Sequence, residues 1–536
     1  MSDYRFENPV KLFQALKELK LPSGETLGNG LGCGSPVSLW DVVASYMVYY
    51  RFPLLWSQGN SLFRQQRLGL HIRPYRGLAA RIRDYVTVHS RLCDSACGLW
   101  PADGSTVVFL GFHELFYKEV LQPVAEWLIK NSELHVVVLG QQSSCKKDGE
   151  IIKGQNFQSI WGHWDSKVKR RTREMLKQLQ AVQKSILDKR QFRVLLRRVN
   201  IDVDFVALHR EFKWFFWREC RRSIPQIAIA EHILMEHHPA LIVSADDADQ
   251  RCRIYSLLGQ RLGIPSLVVQ QGLTHKDYPE WKFFSMSEVA AMGDISRADM
   301  MSQGIPEERI TVTGHPGFDR LLIPEPEACA KIRAEHGVKD GQFMVLFASQ
   351  PYQVGGFKTP DIRLEMIKAI INATVSLERV QLVVKPHPIE DVSILRRILG
   401  HRPRVVVVER AADISLLIKS CDVLLTFTST VALQALYIGK PVLNVAFPES
   451  GLASIYLESG ATWVSRSDKD IRLQLQELTG ERRELELAKK EEARRRFVRD
   501  WAYLPDGGAA ERVGGKIINM KSIFTNRQNA DLVQDI

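Results

Sequence analysis

An apolar run at residues 381–390, "QLVVKPHPIE", ends in Lys385, Pro386, His387 and Pro388. A cation followed by a histidine between two prolines is suited to meet a phosphate. The prolines fix the local backbone and remove two amide donors, which would hold the His387 ring at a strand end. A second apolar run ends in Thr428, Ser429 and Thr430 and opens the segment "STVALQALYIG". Hydroxyl residues at a helix start act as caps, and the free amides there, with the helix dipole, bind phosphate. Taken alone, such hydroxyls are caps and such a histidine is a structural hydrogen-bonder. Together with Lys385 they read as a cradle for a diphosphate or phosphodiester. Two further runs end in Ser349, Gln350 and Pro351 and in Glu409 and Arg410.

Earlier in the chain, comparable ends carry Gly111, His113 and Glu114, then Asp246, Asp247 and Asp249, then Gln271, Gly272 and His275. Acids and imidazoles of this kind serve as the general base that takes the proton of an acceptor hydroxyl. Glu114, Asp246, Asp247 and His275 are all candidates, and the sequence does not choose among them. Each has a plain reading as a turn or cap residue, and "SADDADQ" is a good capping stretch. The acceptor side would also include Gly111, His113, Gln271 and Gly272. A "DVD" at 202–204 lies in helical sequence, so no obligatory catalytic metal is expected. No GxxxxGK[ST] or GxGxxG is present, which removes the best support for ATPase and dinucleotide readings.

These residues need strands to deliver them. "STVVFLGFHE", "LHVVVLG", "PALIVSADD" and "IPSLVVQQG" alternate with helical patterns, as do "FMVLFASQP", "QLVVKPHP", "RVVVVER", "VLLTFTST" and "PVLNVAF". The runs are continuously apolar, as in parallel strands covered on both faces. The fold class is therefore α/β, with two Rossmann-like parallel-sheet domains facing across a cleft. The expected divisions are a partly helical N-terminal extension (1–104), a first, acceptor domain (105–320) and a second, nucleotide-donor domain (321–505). A loose tail (506–536) follows, and a basic helical insertion occupies about 141–235. Ligands of such sheets sit outside the carboxyl ends of the strands.

The chain has 536 residues, too many for one core. Its 72 Lys and Arg against 61 Asp and Glu give a net charge of +11, which favours phosphorylated partners or an anionic membrane face. The basic helices "KVKRRTREMLKQLQ" and "REFKWFFWRECRR" read either as a solvated face or as a contact for lipid phosphates. No nucleic-acid partner is expected. Eight scattered cysteines without a CxxC pair suggest reduced thiols in a cytoplasmic protein. The acidic, polar start is no signal peptide. The nearest approach to a membrane span, residues 38–56, is interrupted by Asp41, Arg51 and Pro53 and reads as a core helix. The alternative is an interfacial aromatic helix.

The motifs "PSLVVQQG", "VTGHPGFDRL", "ASQP", "KPHP" and "CDVLLTFTSTVALQALYIGKPVLNV" occur in the order seen in GT-B glycosyltransferases of bacterial surface polysaccharide synthesis. The chain resembles capsule and lipopolysaccharide transferases, including Kdo transferases, and is similar to CDP-glycerol glycerophosphotransferases. The likeness covers about 105–480. It implies that Gln350 and Pro351 line the nucleotide site, with Ser349 placed on the same donor side by its strand end. It also implies that His387, with Lys385 beside it, meets the donor phosphate or leaving nucleotide and that Ser429 and Thr430 hold the phosphate; Thr428 is a donor-side candidate by its strand end. Glu409 would belong to the same donor side. Gln434 stands where many relatives have a ribose-binding Glu, and Gln271 stands where many have His, so neither role transfers unchanged.

The expected function is a cytoplasmic, metal-independent glycosyltransferase, peripheral to the inner membrane face if the basic helices meet lipid. It would need no cofactor beyond a CMP-, UDP-, CDP- or GDP-linked donor and would act on a glycan or lipid-linked acceptor. Alternatives are a polyol-phosphate transferase or UDP-sugar 2-epimerase on the same fold, and a non-catalytic, membrane-docked scaffold.

Overall fold

The computed structural model describes residues 4–56, 100–101, 104–141, 156–197, 203–274, 280–352, 356–400 and 402–534. The chain divides into two compact units. The first comprises Met1–Ala291, Arg297–Thr311 and Glu511–Ile536; the second comprises Met292–Ser296 and Val312–Ala510.

The first unit is built on β1 (Thr106–Leu110), β2 (His135–Gly140), β3 (Asn156–Ser159), β4 (Leu241–Ser244), β5 (Ser266–Val269), β6 (Glu288–Ala291) and β7 (Ile310–Val312). Their order across the sheet is 3-2-1-4-5-6-7. β1 lies between β2 and β4 and is parallel to both. All five residues of β1 are buried, as expected of a strand with helices on both faces. Connections from β1 run to one side as far as β3, then reverse at β4. The reversal makes the carboxyl ends of β1 and β4 a topological switch point, where open α/β sheets bind ligands.

The second unit repeats the plan with β8 (Phe343–Ala348), β9 (Val380–Lys385), β10 (Val405–Val407), β11 (Val423–Thr426), β12 (Val442–Val445) and β13 (Trp463–Ser465). The order is 10-9-8-11-12-13, and the pairings are parallel throughout. Its switch point lies between β8 and β11. Both sheets expected from the continuous apolar runs are thus present, with the order of a Rossmann fold.

Two segments that composition set apart are packed into the first unit. Residues 4–56 share a hydrophobic core with the helices that follow β3. Trp40, fully buried, stacks on Phe13 (ring centroids 4.7 Å) and on Phe212 (5.8 Å), and Phe215 meets its edge (5.4 Å). Each fully buried aromatic of this kind contributes roughly 2–3 kcal/mol of apolar transfer. Residues 38–56 form short helical pieces, and most of their apolar side chains are buried. Arg51 interrupts the apolar run because it pairs with Glu211, its Nε donating to Oε2 at 2.7 Å. The last residues, loose by composition, form the helix Ala509–Gln534. Val513, Ile517 and Met520 recur at helical spacing and pack against the sheet. A Cβ at Gly514 would lie 2.2 Å from the Trp127 ring, so only glycine allows that approach.

No helix among the described residues is long and apolar enough to cross a membrane. Cys33, Cys220, Cys252, Cys329 and Cys421 are free thiols.

Candidate functional site

The carboxyl ends of β8, β9, β10 and β11 are tied together by side chains. Gln350, after β8, holds Thr428, after β11: its Oε1 accepts from the Thr428 amide at 2.8 Å, and its Nε2 donates to the Thr428 hydroxyl at 3.4 Å. This pair spans the switch point. Ser349 adjoins the end of β9, its amide donating to Lys385 O at 3.0 Å. Its hydroxyl donates to Glu390 Oε1 at 3.0 Å. The other oxygen of Glu390 accepts from the His387 amide at 3.1 Å. Arg363, on the helix Pro360–Val375, pairs with Glu390 and donates from Nε to Gln350 O at 2.6 Å. Burial lowers the Arg363 pKa, and the adjoining Glu390 carboxylate opposes that shift. One buried ion pair therefore fixes two strand ends and the "KPHPIE" turn.

Lys385 is buried and is not a fully free hook. Its ammonium donates to Pro386 O at 3.1 Å and to Arg410 O at 2.7 Å. Of its three protons, one remains for a ligand. Burial lowers its pKa. His387 is half-buried, and its Nδ1 accepts from the Ile389 amide at 3.3 Å. The neutral ring therefore carries its proton on Nε2. Burial lowers the His387 pKa; Glu390 opposes the shift and Lys385 adds to it. His387 is thus set up as a neutral donor at pH 7.

The start of the helix Val431–Tyr437 supplies less than expected. It is seven residues long, and Thr430 makes no side-chain cap. Ser429 Oγ accepts from the Val431 amide at 3.4 Å, and the Ala432 and Leu433 amides bond to Ser429 O and Thr430 O. Three amides of the first turn are therefore occupied. Gln434 Oε1, one turn on, is buried and has no hydrogen-bond partner among the described residues. Pro351 is buried directly after Gln350. Glu409 does not join the group. It is exposed and pairs with Arg396 at 2.8 Å, so the main chain of Arg410, not this carboxylate, reaches Lys385. Sequence reasoning missed Glu390 and Arg363. The first stands three residues after His387 in the same quoted run; the second comes from a helix whose partner only the fold reveals.

In the first unit the four candidate bases part company. Glu114 is exposed and pairs with Lys118 at 3.1 Å. His113 caps its own short helix, Nδ1 accepting from the Phe116 amide at 3.5 Å, and stacks on Phe116. Asp247 is buried and accepts from the Ser285 amide at 2.7 Å and from the Ser285 hydroxyl, with Arg253 at 3.8 Å. Burial raises its pKa, with Arg253 and Ser285 opposing. It ties β4 to the segment before β6. Asp246 remains. Its Oδ1 accepts from the Ala248 and Asp249 amides at 2.7 and 3.1 Å. Its Oδ2 takes no hydrogen bond among the described residues. Burial first, then the neighbouring Asp249 charge, pushes its pKa up to about 6. Asp246 sits after β4, at the switch point. Glu280, which sequence reasoning passed over, is pushed up to about 7 by burial and by the charges of Asp299 and Asp246.

His275 lies outside the described residues. Gly111 is pinned by its amide bond to Leu139 O at 2.8 Å, and a Cβ there would meet Val138 at 2.9 Å. Gln271 is exposed, and Gly272 O accepts from Gln270 Nε2 at 2.6 Å. Among the described residues no group of three or more His, Cys, Asp or Glu is placed to hold a metal ion.

Residues 302–519 match the family model described as CDP-Glycerol:Poly(glycerophosphate) glycerophosphotransferase. The match contains every strand end of the second sheet. At this broad level the chain is an enzyme, a transferase that uses a nucleotide-activated donor. No curated protein sequence matches the chain significantly. Among solved structures the chain is similar to the wall teichoic acid polymerase TagF: 12% identity, 86% of this chain and 98% of that one, TM-score 0.46. It is also similar to UDP-GlcNAc 2-epimerase from Neisseria meningitidis bound to UDP-GlcNAc: 14% identity, 77% of this chain and 99% of that one, TM-score 0.44. At such values these likenesses carry no argument about chemistry, and the fold rests on the sheet orders themselves.

Proposed function

We propose that the chain transfers a polyol-phosphate group from a CDP-linked donor to a surface-polymer acceptor, with CDP-glycerol the first donor to test. The observation that carries this reading is the coincidence of two facts. The glycerophosphotransferase match spans 302–519, and within it Ser349, Gln350, Lys385, His387 and Thr428 belong to one bonded group at a switch point. In the proposed reaction an acceptor hydroxyl attacks the β-phosphorus of the donor. A new P–O bond forms, the bond between the β-phosphorus and the bridging oxygen breaks, and CMP leaves with that electron pair.

Within this reading His387 Nε2–H and the remaining proton of Lys385 donate to the diphosphate, where charge grows as CMP departs. The buried, unpartnered Gln434 Oε1 suits a ribose hydroxyl, since an orphaned acceptor costs free energy until a donor arrives. Asp246 takes the acceptor proton: a carboxylate with a pKa near 6 is a stronger base than an ordinary one and is still ionised at pH 7. No obligatory metal is invoked. A lipid-linked acceptor would place the enzyme peripherally at the inner membrane face.

The test follows phosphorus. With CDP-glycerol and a polymer or lipid-linked primer, phosphorus NMR should show a new phosphodiester formed in step with CMP, undiminished by EDTA. Conversion of UDP-GlcNAc without any second substrate would move the assignment to an epimerase. Transfer of a sugar without phosphorus would move it to a glycosyltransferase. If CMP, CDP, UDP, GDP and CDP-glycerol all failed to raise the melting temperature, the scaffold reading would replace it.

A further inference from the structure

The helices Phe205–Trp214 and Arg221–His237 are joined by the π-helical turn Phe215–Cys220. Along 205–222 the inner side carries Leu208, Phe212, Phe215 and Phe216, all buried in the first unit's core. The outer side carries Val206, Arg210, Lys213 and Trp217, all exposed. Their spacings of four, three and four are those of one helical face. The segment contains two acids, Glu211 and Glu219, and both are buried. Glu211 is neutralised by Arg51, and Glu219 lies 3.4 Å from Arg218. The outer face of 205–222 therefore combines cations with large apolar side chains; the segment's own two acids are turned inward, and the exposed Asp204 just before it is engaged in capping the helix at the Ala207 amide.

The aromatic part is held in place. The Arg51 guanidinium lies 4.0 Å from the centroid of the Trp214 ring. Trp214 stacks on Tyr46 (5.5 Å), and Tyr46 packs on Tyr50 (5.4 Å). Tyr50 is 62% exposed and Trp217 54%. The Arg221 guanidinium sits 4.6 Å from the Trp217 ring. Core packing explains none of this exposure. Tryptophan and tyrosine with an apolar body and a polar tip favour the bilayer interface, and Lys or Arg beside them attract anionic headgroups.

We propose that Tyr50, Val206, Arg210, Lys213, Trp217 and Arg221 form a docking face for an anionic phospholipid surface. It gives the membrane part of the proposed function its contact surface and rests on that reading. The cations approach headgroup phosphates while Trp217, Tyr50 and Val206 enter the interface. A nucleic acid fits less well. Val206, 68% exposed, matches an acyl boundary better than a phosphate backbone.

The experiment is co-sedimentation of the full chain with vesicles of phosphatidylcholine alone or mixed with phosphatidylglycerol, at low and high salt. The chain should pellet with the mixed vesicles, release at high salt, and show a blue-shifted Trp emission that Trp217→Ser reduces. Arg210→Glu combined with Lys213→Glu should weaken binding on the order of tenfold or more. Inorganic phosphate should produce no blue shift, which separates a bilayer from a free anion. All these positions are exposed, so circular dichroism melting should be unchanged. Stabilisation by CDP-glycerol should also be unchanged, so failure of docking and failure of the transferase reading are distinguishable. The proposal is overturned if the chain pellets equally with neutral vesicles or with none. It is also overturned if the charge-reversed variant pellets like the original chain, or if RNA displaces the chain from the mixed vesicles.

Discussion

The two sheets have equivalent switch points, and they are finished differently. Between β8 and β11 the side chains of different strands bond to one another: Gln350 to Thr428, Ser349 to Glu390, and Glu390 to the turn that holds His387. Between β1 and β4 the residues are absorbed locally or left desolvated. His113 caps a turn, Glu114 pairs with solvent-exposed Lys118, and Asp246 carries a charge that burial disfavours. A cross-linked wall suits a ligand that must be held in one pose. A desolvated carboxylate suits a proton that must be moved. Under the proposed function, donor binding falls to the second sheet and proton transfer to the first.

The largest break in this contrast should come from Glu390→Gln. It leaves the Arg363 guanidinium buried without its partner, which costs on the order of 3–5 kcal/mol. Thermal unfolding should show the second unit melting first, and Arg363→Leu in the same chain should recover part of the loss. Next, His387→Ala should reduce kcat by roughly 10² to 10³, about 3–4 kcal/mol of transition-state stabilisation, with the melting temperature unchanged. Steady-state kinetics alongside calorimetry would check both halves of that expectation.

Asp246→Asn should separate stability from activity. Its folded pKa of about 6 lies above the ordinary carboxylate value of 3.8. The charge penalty is therefore fully present above pH 6 and absent below about pH 4. Asparagine can keep both amide contacts without the charge. It should stabilise the protein by on the order of 2–3 kcal/mol at pH 8 and by little at pH 4, while kcat falls. The original enzyme should show an acid limb in kcat/KM near pH 6. The smallest effect belongs to Gln434→Leu, which removes an orphaned acceptor. A gain of about 1 kcal/mol in stability, with a raised KM for the donor, is the expected pairing.

Much of the second site could be read from the chain because a buried strand delivers its next few residues to a known edge. Gln350, Lys385, His387 and Thr428 follow from that rule alone. Glu390 was visible in the same run but looked like any polar turn residue. Its role depends on Arg363, which comes from a helix 27 positions earlier and is paired with it only by the fold. Glu409 illustrates the rule's limit: it follows β10, yet its side chain turns outward to Arg396. In the first sheet, the fates of Asp246 and Asp247 differ in where their partners lie: Asp246 is bonded only by amides of its own turn among the described residues, Asp247 by a distant segment. Ser285, from the segment before β6, took Asp247. Composition misjudged the C-terminal helix because three apolar residues at helical spacing, Val513, Ile517 and Met520, outweigh a polar average.

The most direct measurement is calorimetric titration of CDP-glycerol into the original chain, His387→Ala and Asp246→Asn. The division of labour drawn here requires the original and Asp246→Asn to bind alike and His387→Ala to bind at least tenfold more weakly, about 1.4 kcal/mol. Equal binding by all three, or a loss confined to Asp246→Asn, would contradict it.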